Sequence, residues 1–347
     1  MATTRISDLI VPEVFENYVA DEIVRKTNLV QSGAVTRDGN LDRLLAGGGA
    51  VFNFPFYNNL AETGEVVASD NPADIIVPEK VTASNLLVPR CVRAVAWQVA
   101  NLDELLTGSD PMAFIGSRVA DFRIGALQKQ FLAVVKGIFA NNATADDTYH
   151  KQNDQRIDLS AANSGTYLKG TTDFNVNALI DAISLLGDAQ DGFGMIMVHP
   201  LVFANMQKQD VIDTRIPSTA GAPTYYYNGY QIILNNDVPC TVTSGSAVCS
   251  TYIFGRDQFR LGFGSVDEPL AYEKQQAQGN GYGVSTMYAR WCNALAPKGY
   301  SYVGASTAVG GPSNADTSTN LANAGSWRRV AGDVRSCQMV ELVTRES

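Results

Sequence analysis

The run from Asp110 to Asn141 constrains this chain more than any other, because it reads as one long helix. It opens Asp110-Pro111, an N-cap carboxylate followed by proline at the first helical position. No further proline interrupts it, and apolar side chains recur at Ile115, Val119, Phe122, Leu127, Phe131, Val134, Val135 and Ile138. Their spacing keeps them on one broad stripe, which is expected to face a sheet. At ~1.5 Å per residue the rod is roughly 45 Å long, far above the usual helix. Gly125 and Gly137 lie inside it. Each costs ~1 kcal/mol against alanine, so packing has to carry those turns. A long helix among short strand-like runs predicts an α+β fold with the helix laid across a sheet.

The chain has 347 residues, 45% hydrophobic and 18% charged, which is a folding composition and not a disordered one. Net charge is −9 and no Lys/Arg-rich run occurs, which argues against a protein that follows a nucleic-acid groove. The five cysteines, Cys91, Cys240, Cys249, Cys292 and Cys337, are scattered and form no C-x-x-C pair. They are expected to be free buried thiols in a reducing compartment. Met1 to Ile10 lacks a signal pattern, and no apolar run approaches the ~20 residues that span a bilayer, so a soluble protein made in a cytoplasm is expected.

Residues 1–48 read as an arm: a short amphipathic helix around Val14 to Val24, then glycine-rich punctuation ending in Gly47-Gly48-Gly49. Such a segment needs another surface to cover it, either the rest of the chain or a neighbour. Val51 to Tyr57 is strand-like with Pro55 inside it, which implies an edge or a bulge. A polar, acidic stretch from Asn58 to Asp74 follows, and Ile75 to Pro78 and Val81 to Ala83 read as returning strands of a long hairpin. Leu86 to Ala100 reads as strand or as a short helix. Beyond the long helix, Asp173 is expected to cap a second helix with Val176, Leu179, Ile180, Ile183 and Leu186 inward. Met195 to Val198 reads as a buried strand and His199-Pro200 as the start of a third helix. Asn228-Gly229 supplies the turn of a hairpin from Tyr225 to Leu234. Tyr252 to Phe254, Phe259 to Phe263, Val284 to Pro297 and Gly299 to Val303 read as strands. A small-residue linker, Ser306 to Gly325, precedes a last apolar run, Met339 to Val343.

Motifs of catalysis are missing. There are two histidines, His150 in a polar loop and His199 at a helix start, and neither belongs to a metal or nucleophile pattern. Gly279, Gly281 and Gly283 form a polar turn and not a dinucleotide fingerprint. Asp146, Asp147 and Asp154 read as a solvated face. No catalytic, cofactor-binding or metal site is expected.

The order of parts carries a resemblance. An arm, a strand-edged loop, one long helix, a small α/β region and a return through long strands resemble the major capsid protein of tailed bacteriophages, with its HK97-like fold. Met195 to Met206, and Tyr227 to Ile233 followed by Asn236-Asp237-Val238-Pro239, are similar to segments that recur in phage coat proteins. The resemblance covers the whole chain. It implies an N-terminal arm at 1–48, an extended loop at 49–88, a peripheral domain at 89–173 with a spine helix at 111–140, an axial domain at 174–265, and return strands plus a C-terminal segment at 266–347. It implies a structural subunit that self-assembles into hexamers and pentamers around double-stranded DNA, in a virion put together in the host cytoplasm. Its partners would be copies of itself and portal, scaffolding or decoration proteins, with DNA enclosed without sequence-specific binding and no membrane. A scaffold or protease would be a separate protein, or absent, since no long charged leader is seen. The expected inter-subunit contacts are Phe54, Phe56, Glu62, Glu65, Asp70 and Asp74 on the loop, meeting Arg118, Arg123, Lys129 and Lys136 on the long helix. Two rivals stay open, a nanocompartment shell of the same fold holding protein cargo, and an enzyme with an unrecognised site.

Overall fold

The computed structural model describes residues 33–58, 65–76, 78, 80–107, 110–144, 151–210, 212–215, 224–243, 245–304 and 310–347. In chain order these form β1 (Val35–Arg37), α1 (Gly39–Ala46), β2 (Val51–Tyr57), β3 (Ala83–Pro89), β4 (Cys91–Ala100), α2 (Asn101–Thr107) and α3 (Pro111–Thr144). Then come β5 (Arg156–Asp158), α4 (Val176–Ser184), β6 (Phe193–Val198), α5 (Pro200–Lys208), β7 (Asp213–Arg215), β8 (Thr224–Tyr227), β9 (Tyr230–Leu234), β10 (Cys240–Thr243) and β11 (Ser246–Gly255). The chain closes with β12 (Phe259–Gly264), β13 (Leu270–Gln275), β14 (Val284–Pro297), β15 (Tyr300–Tyr302), β16 (Trp327–Arg329) and β17 (Met339–Glu346).

Two sheets are joined by α3. The first runs β1-β12-β14-β13, with β4 on the other side of β14. The second runs β5-β17-β11-β6-β9-β8-β7, with β10 also on β11. The two sheets do not respect a cut of the chain at 265–266. β12 belongs with the later strand β14, and the C-terminal β17 lies between β5 and β11 in the sheet that holds β6. Non-local pairing overrides sequence order here, and no local pattern encodes it.

The long helix starts where the sequence puts it. The Asp110 carboxylate accepts from the Met112 and Ala113 N–H groups, each at 3.0 Å. It runs on to Thr144, past the expected end at 140. Its burial is not a single stripe. From Phe131 to Val135 every residue is buried, because this half sits where the two sheets meet. Phe131 touches Phe259 of one sheet and Phe254 of the other, at ring centroids 4.7 and 5.7 Å apart. The first half is more open. Phe122, expected to be buried, lies edge-on to Trp97 and Trp291 yet keeps 43% of its surface exposed.

Four further expectations change, and one left open is settled. Asn175, not Asp173, caps α4, its side chain accepting from the Ala178 N–H at 2.8 Å. Val176 and Ile180 are exposed and Ala178 and Ala182 take their place inside, since small residues let α4 sit close to its sheet. The segment 33–48 is no free arm. β1 pairs with β12, and Leu41 and Leu45 of α1 press on Gly262, where a Cβ would collide with both, while Leu45 also lies close over Gly264. The stretch 310–325 is not a loose linker, because Leu321 and Ala322 are buried in the core around α3. Finally, Leu86 to Ala100 is strand throughout apart from Arg90, with no helix in it.

Candidate assembly surface

β2 and β3 form a hairpin of their own, in register from Val51 opposite Pro89 to Tyr57 opposite Ala83. Its base is tied to the body. The Arg90 guanidinium donates to the Gly47 carbonyl at 2.7 Å and to the Leu45 carbonyl, and the Leu87 N–H donates to the Ser301 hydroxyl at 2.9 Å. Among the described residues no third strand joins either edge. Bare edges of this kind invite pairing or coverage by another chain. The return strand begins at Ala83, not at Ile75. Ile75 and Ile76 carry no strand and are exposed. Val77 lies outside the described residues.

Residues 65–76 pack on nothing described. Every one is exposed. Along with Glu65, Asp70 and Asp74 this segment displays apolar side chains, with Val67 at 89% and Ile75 at 82% exposed. The sequence reads as acidic and polar from Asn58 to Asp74, where charged and polar neighbours outnumber Val66 and Val67, and Ile75 and Ile76 read as strand formers, so the apolar content of the segment was missed. Glu62 lies outside the described residues.

The aromatic side chains of the hairpin divide the work. Phe52 is buried and Phe54 half-buried against Leu41, Leu45, Leu86 and Val88. Phe56 is half-buried and lines an open groove of about 1120 Å³ between hairpin and body. Arg260, Lys298 and Arg335 line the opposite wall. Arg260 faces Asp38 at 3.5 Å, and Arg335 is held by Asp333 at 2.6 Å and Asp188 at 3.3 Å.

The four basic residues on α3 do not share one face. At 3.6 residues per turn Arg118, Lys129 and Lys136 share a face, while Arg123 lies roughly 140° round from Arg118. Arg123 stacks over the Trp291 ring at 5.9 Å. Arg118 pairs with Asp121 at 3.6 Å, and Lys136 with Asp316 at 2.7 Å. Lys129 is exposed. The ion pairs of Arg118 and Lys136 are on the surface, where each is worth only ~0–1 kcal/mol, so exchanging them for other carboxylates costs little.

One expectation about cysteine fails. Cys240 and Cys249 stand opposite each other on β10 and β11 and form a disulfide. Sequence spacing could not reveal this, because strand register sets it. Cys91, Cys292 and Cys337 are free and buried, and burial pushes the Cys91 thiol up to about 11 and the Cys337 thiol up to about 12.

No protein-family model matches the chain. Among curated proteins it is 30% identical over 348 residues, 99% of each chain, to the major capsid protein of Bacillus phage SPP1. Among solved structures it resembles a chain of the capsid asymmetric unit of cyanophage Pam1, with a TM-score of 0.57 at 10% identity over 99% of both chains. It also resembles the capsid of Ralstonia phage GP4, with a TM-score of 0.55 at 10% identity over 100% of this chain and 98% of that one.

Proposed function

The chain belongs to the bacteriophage major capsid proteins and is a structural subunit of a phage capsid with the HK97-like fold, and on that premise we propose how it builds a shell. Copies close into hexamers and pentamers of an icosahedral particle that encloses double-stranded DNA, assembled in the host cytoplasm. The ring contacts are heterologous, which suits closure into rings of more than one size. Portal, scaffolding and decoration proteins are its proposed further partners. The spine helix α3 and the sheet of β14 form the peripheral region, and the sheet of β6 forms the axial one.

The observation that carries this reading is the exposed segment 65–76 at the end of a two-stranded hairpin whose edges meet no third strand among the described residues. Val66, Val67, Ile75 and Ile76 leave water when the hairpin lies across a neighbouring subunit. Burying apolar surface contributes ~25 cal/mol per Å², so a few such side chains outweigh several exposed ion pairs. Glu65, Asp70 and Asp74 set the register against basic groups, with Arg118, Arg123, Lys129 and Lys136 of the next subunit as partners. Weak contacts suffice, because each subunit makes many at once.

The test is electron microscopy of the full-length protein expressed alone and with its phage genome. Closed shells that hold nuclease-protected DNA in the infected cell support the reading. Closed shells filled with a co-purifying protein and never with DNA would favour a cargo compartment instead. A small soluble oligomer under all conditions would sink it.

A further inference from the structure

A different kind of site lies at the start of α5, away from the hairpin. β6 ends at Val198, and His199 follows as the cap of α5, its Nδ1 accepting from the Leu201 N–H at 3.3 Å. β11 pairs with β6 through Tyr252 to Gly255, and its earlier residues continue past the end of β6. That places Cys249, and Cys240 opposite it, beside His199. One donor atom from each of His199, Cys240 and Cys249 lies within 4.8 Å of the others. Cys249 is fully buried, while His199 and Cys240 are half-buried, so the cluster is reached from their side.

We propose that, once the Cys240–Cys249 disulfide is reduced, these three side chains bind a zinc ion, with water in the fourth position. Two thiolates and an imidazole form a donor set that suits zinc and not the hard cations. Tetrahedral zinc holds sulfur at ~2.3 Å and nitrogen at ~2.0–2.1 Å, which sets its ligands roughly 3.5–4 Å apart, so the two sulfurs part from bonding distance on reduction, while the imidazole nitrogen already lies within 4.8 Å of both. The chemistry balances. A phosphine reductant gives two electrons and the S–S bond breaks; water supplies the oxygen that leaves in the phosphine oxide and the two protons that complete the thiols. Zn²⁺ then displaces both thiol protons to solvent, and neutral imidazole completes the protein's share. The helix N-terminus beside the cluster favours the thiolate form. His199 now spends its Nδ1 lone pair on Leu201. Ligation through Nδ1 takes that pair directly, and ligation through Nε2 moves the ring proton onto Nδ1. Either way the Leu201 bond is given up. The metal thereby ties the β6–α5 junction to the β10–β11 hairpin.

The test uses the full-length protein, reduced with a phosphine, freed of it, and titrated with Zn²⁺ or with Co²⁺ as a spectroscopic probe. The expected result is one equivalent bound, thiolate-to-cobalt charge-transfer bands, and faster exchange of the Leu201 amide. Cys240→Ser and Cys249→Ser are expected to lose more than the ~10–100-fold that mutating a ligand's outer partner costs. His199→Asn keeps a residue able to cap α5, so it is expected to weaken binding at an unchanged denaturation midpoint. Cys91, Cys292 and Cys337 are buried and common to all variants. Uptake by the reduced wild type no greater than by the double serine variant overturns the proposal. So does undiminished affinity in His199→Asn, which separates a ligand from a cap.

Discussion

Gly137 shows why a residue that weakens a helix persists in one. A Cβ there would stand 2.2 Å from the Leu321 carbonyl and 2.6 Å from Trp327 Nε1, whose N–H donates to that same carbonyl at 2.7 Å. Gly116, on the same helix, meets only Met287 Cε at 3.8 Å. Gly116→Ala is therefore expected to stabilise by roughly 0.5–1 kcal/mol through helix propensity. Gly137→Ala is expected to destabilise by about 1–3 kcal/mol through overpacking. Denaturant midpoints of soluble subunits check both, and equal signs would refute the contrast. The same measurement separates two phenylalanines. Phe131 is 1% exposed, and Phe131→Ala should cost ~3–5 kcal/mol. Phe122 keeps 43% of its surface in water, so Phe122→Ala should cost clearly less in the free subunit. Asp42 adds a pH dependence. The Phe263 N–H donated to its carboxylate, and then Arg37, hold it below its ordinary value of 3.8. A lowered acid stabilises the fold fully above about 3.8, and that share fades as pH falls through the folded value. The acid limb of stability should flatten in Asp42→Asn, and an unchanged limb would remove Asp42 from the account.

Elements were legible where the signal is local. The Asp110-Pro111 start, the Asn228-Gly229 turn and the strand from Val284 to Pro297 all depend on neighbours in sequence, and each stands where expected. Asn228 and Gly229 take φ of 47° and 87°, as a two-residue hairpin turn requires. What depends on distant partners was not legible: the all-round burial of the second half of α3, the Cys240–Cys249 pair, and the return strand of the hairpin. The candidate contact surface was legible in outline only. The first strand of its hairpin could be placed from the run Val51 to Tyr57, but Phe54, expected to meet another subunit, packs on Leu41, Leu45 and Val88 of its own chain, and the apolar side chains of 65–76 are passed over in a stretch that reads as polar. That tip yields a prediction. Val67→Lys and Ile75→Lys change side chains that are exposed among the described residues, so subunit stability should move by no more than ~0.5 kcal/mol. Shell formation should fall sharply, because a charge then enters each apolar contact. Light scattering during assembly measures the second effect. Normal assembly of both variants would mean that the segment is not buried between subunits.

At the scale of the whole molecule, the N-terminal segment tests how the body and its projections are divided. Sequence alone assigned residues 1–48 to one arm, but β1 and α1 within it are packed into the body. β1 adds a parallel strand to β12, and the Asp42 carboxylate accepts from the Phe263 N–H at 2.7 Å. Leu41 and Leu45 are each 1% exposed, over a part of the sheet where Gly262 and Gly264 leave room for them. Burying a leucine contributes about 1.5–3 kcal/mol, and two of them are a large share of a typical ~5–15 kcal/mol. Removing residues 1–48 should therefore unfold or aggregate the subunit, because it strips one sheet of a strand and exposes bare glycine backbone. Removing residues 1–32 keeps β1, α1 and their contacts, so the subunit should stay folded with its denaturation midpoint little changed. Under the capsid reading its shells should nevertheless form poorly, since an arm acts on neighbours. Circular dichroism and sedimentation of the two truncations decide the matter. A folded 1–48 deletion would show that α1 is dispensable to the body. Normal shells from the 1–32 deletion would show that assembly does not need those residues.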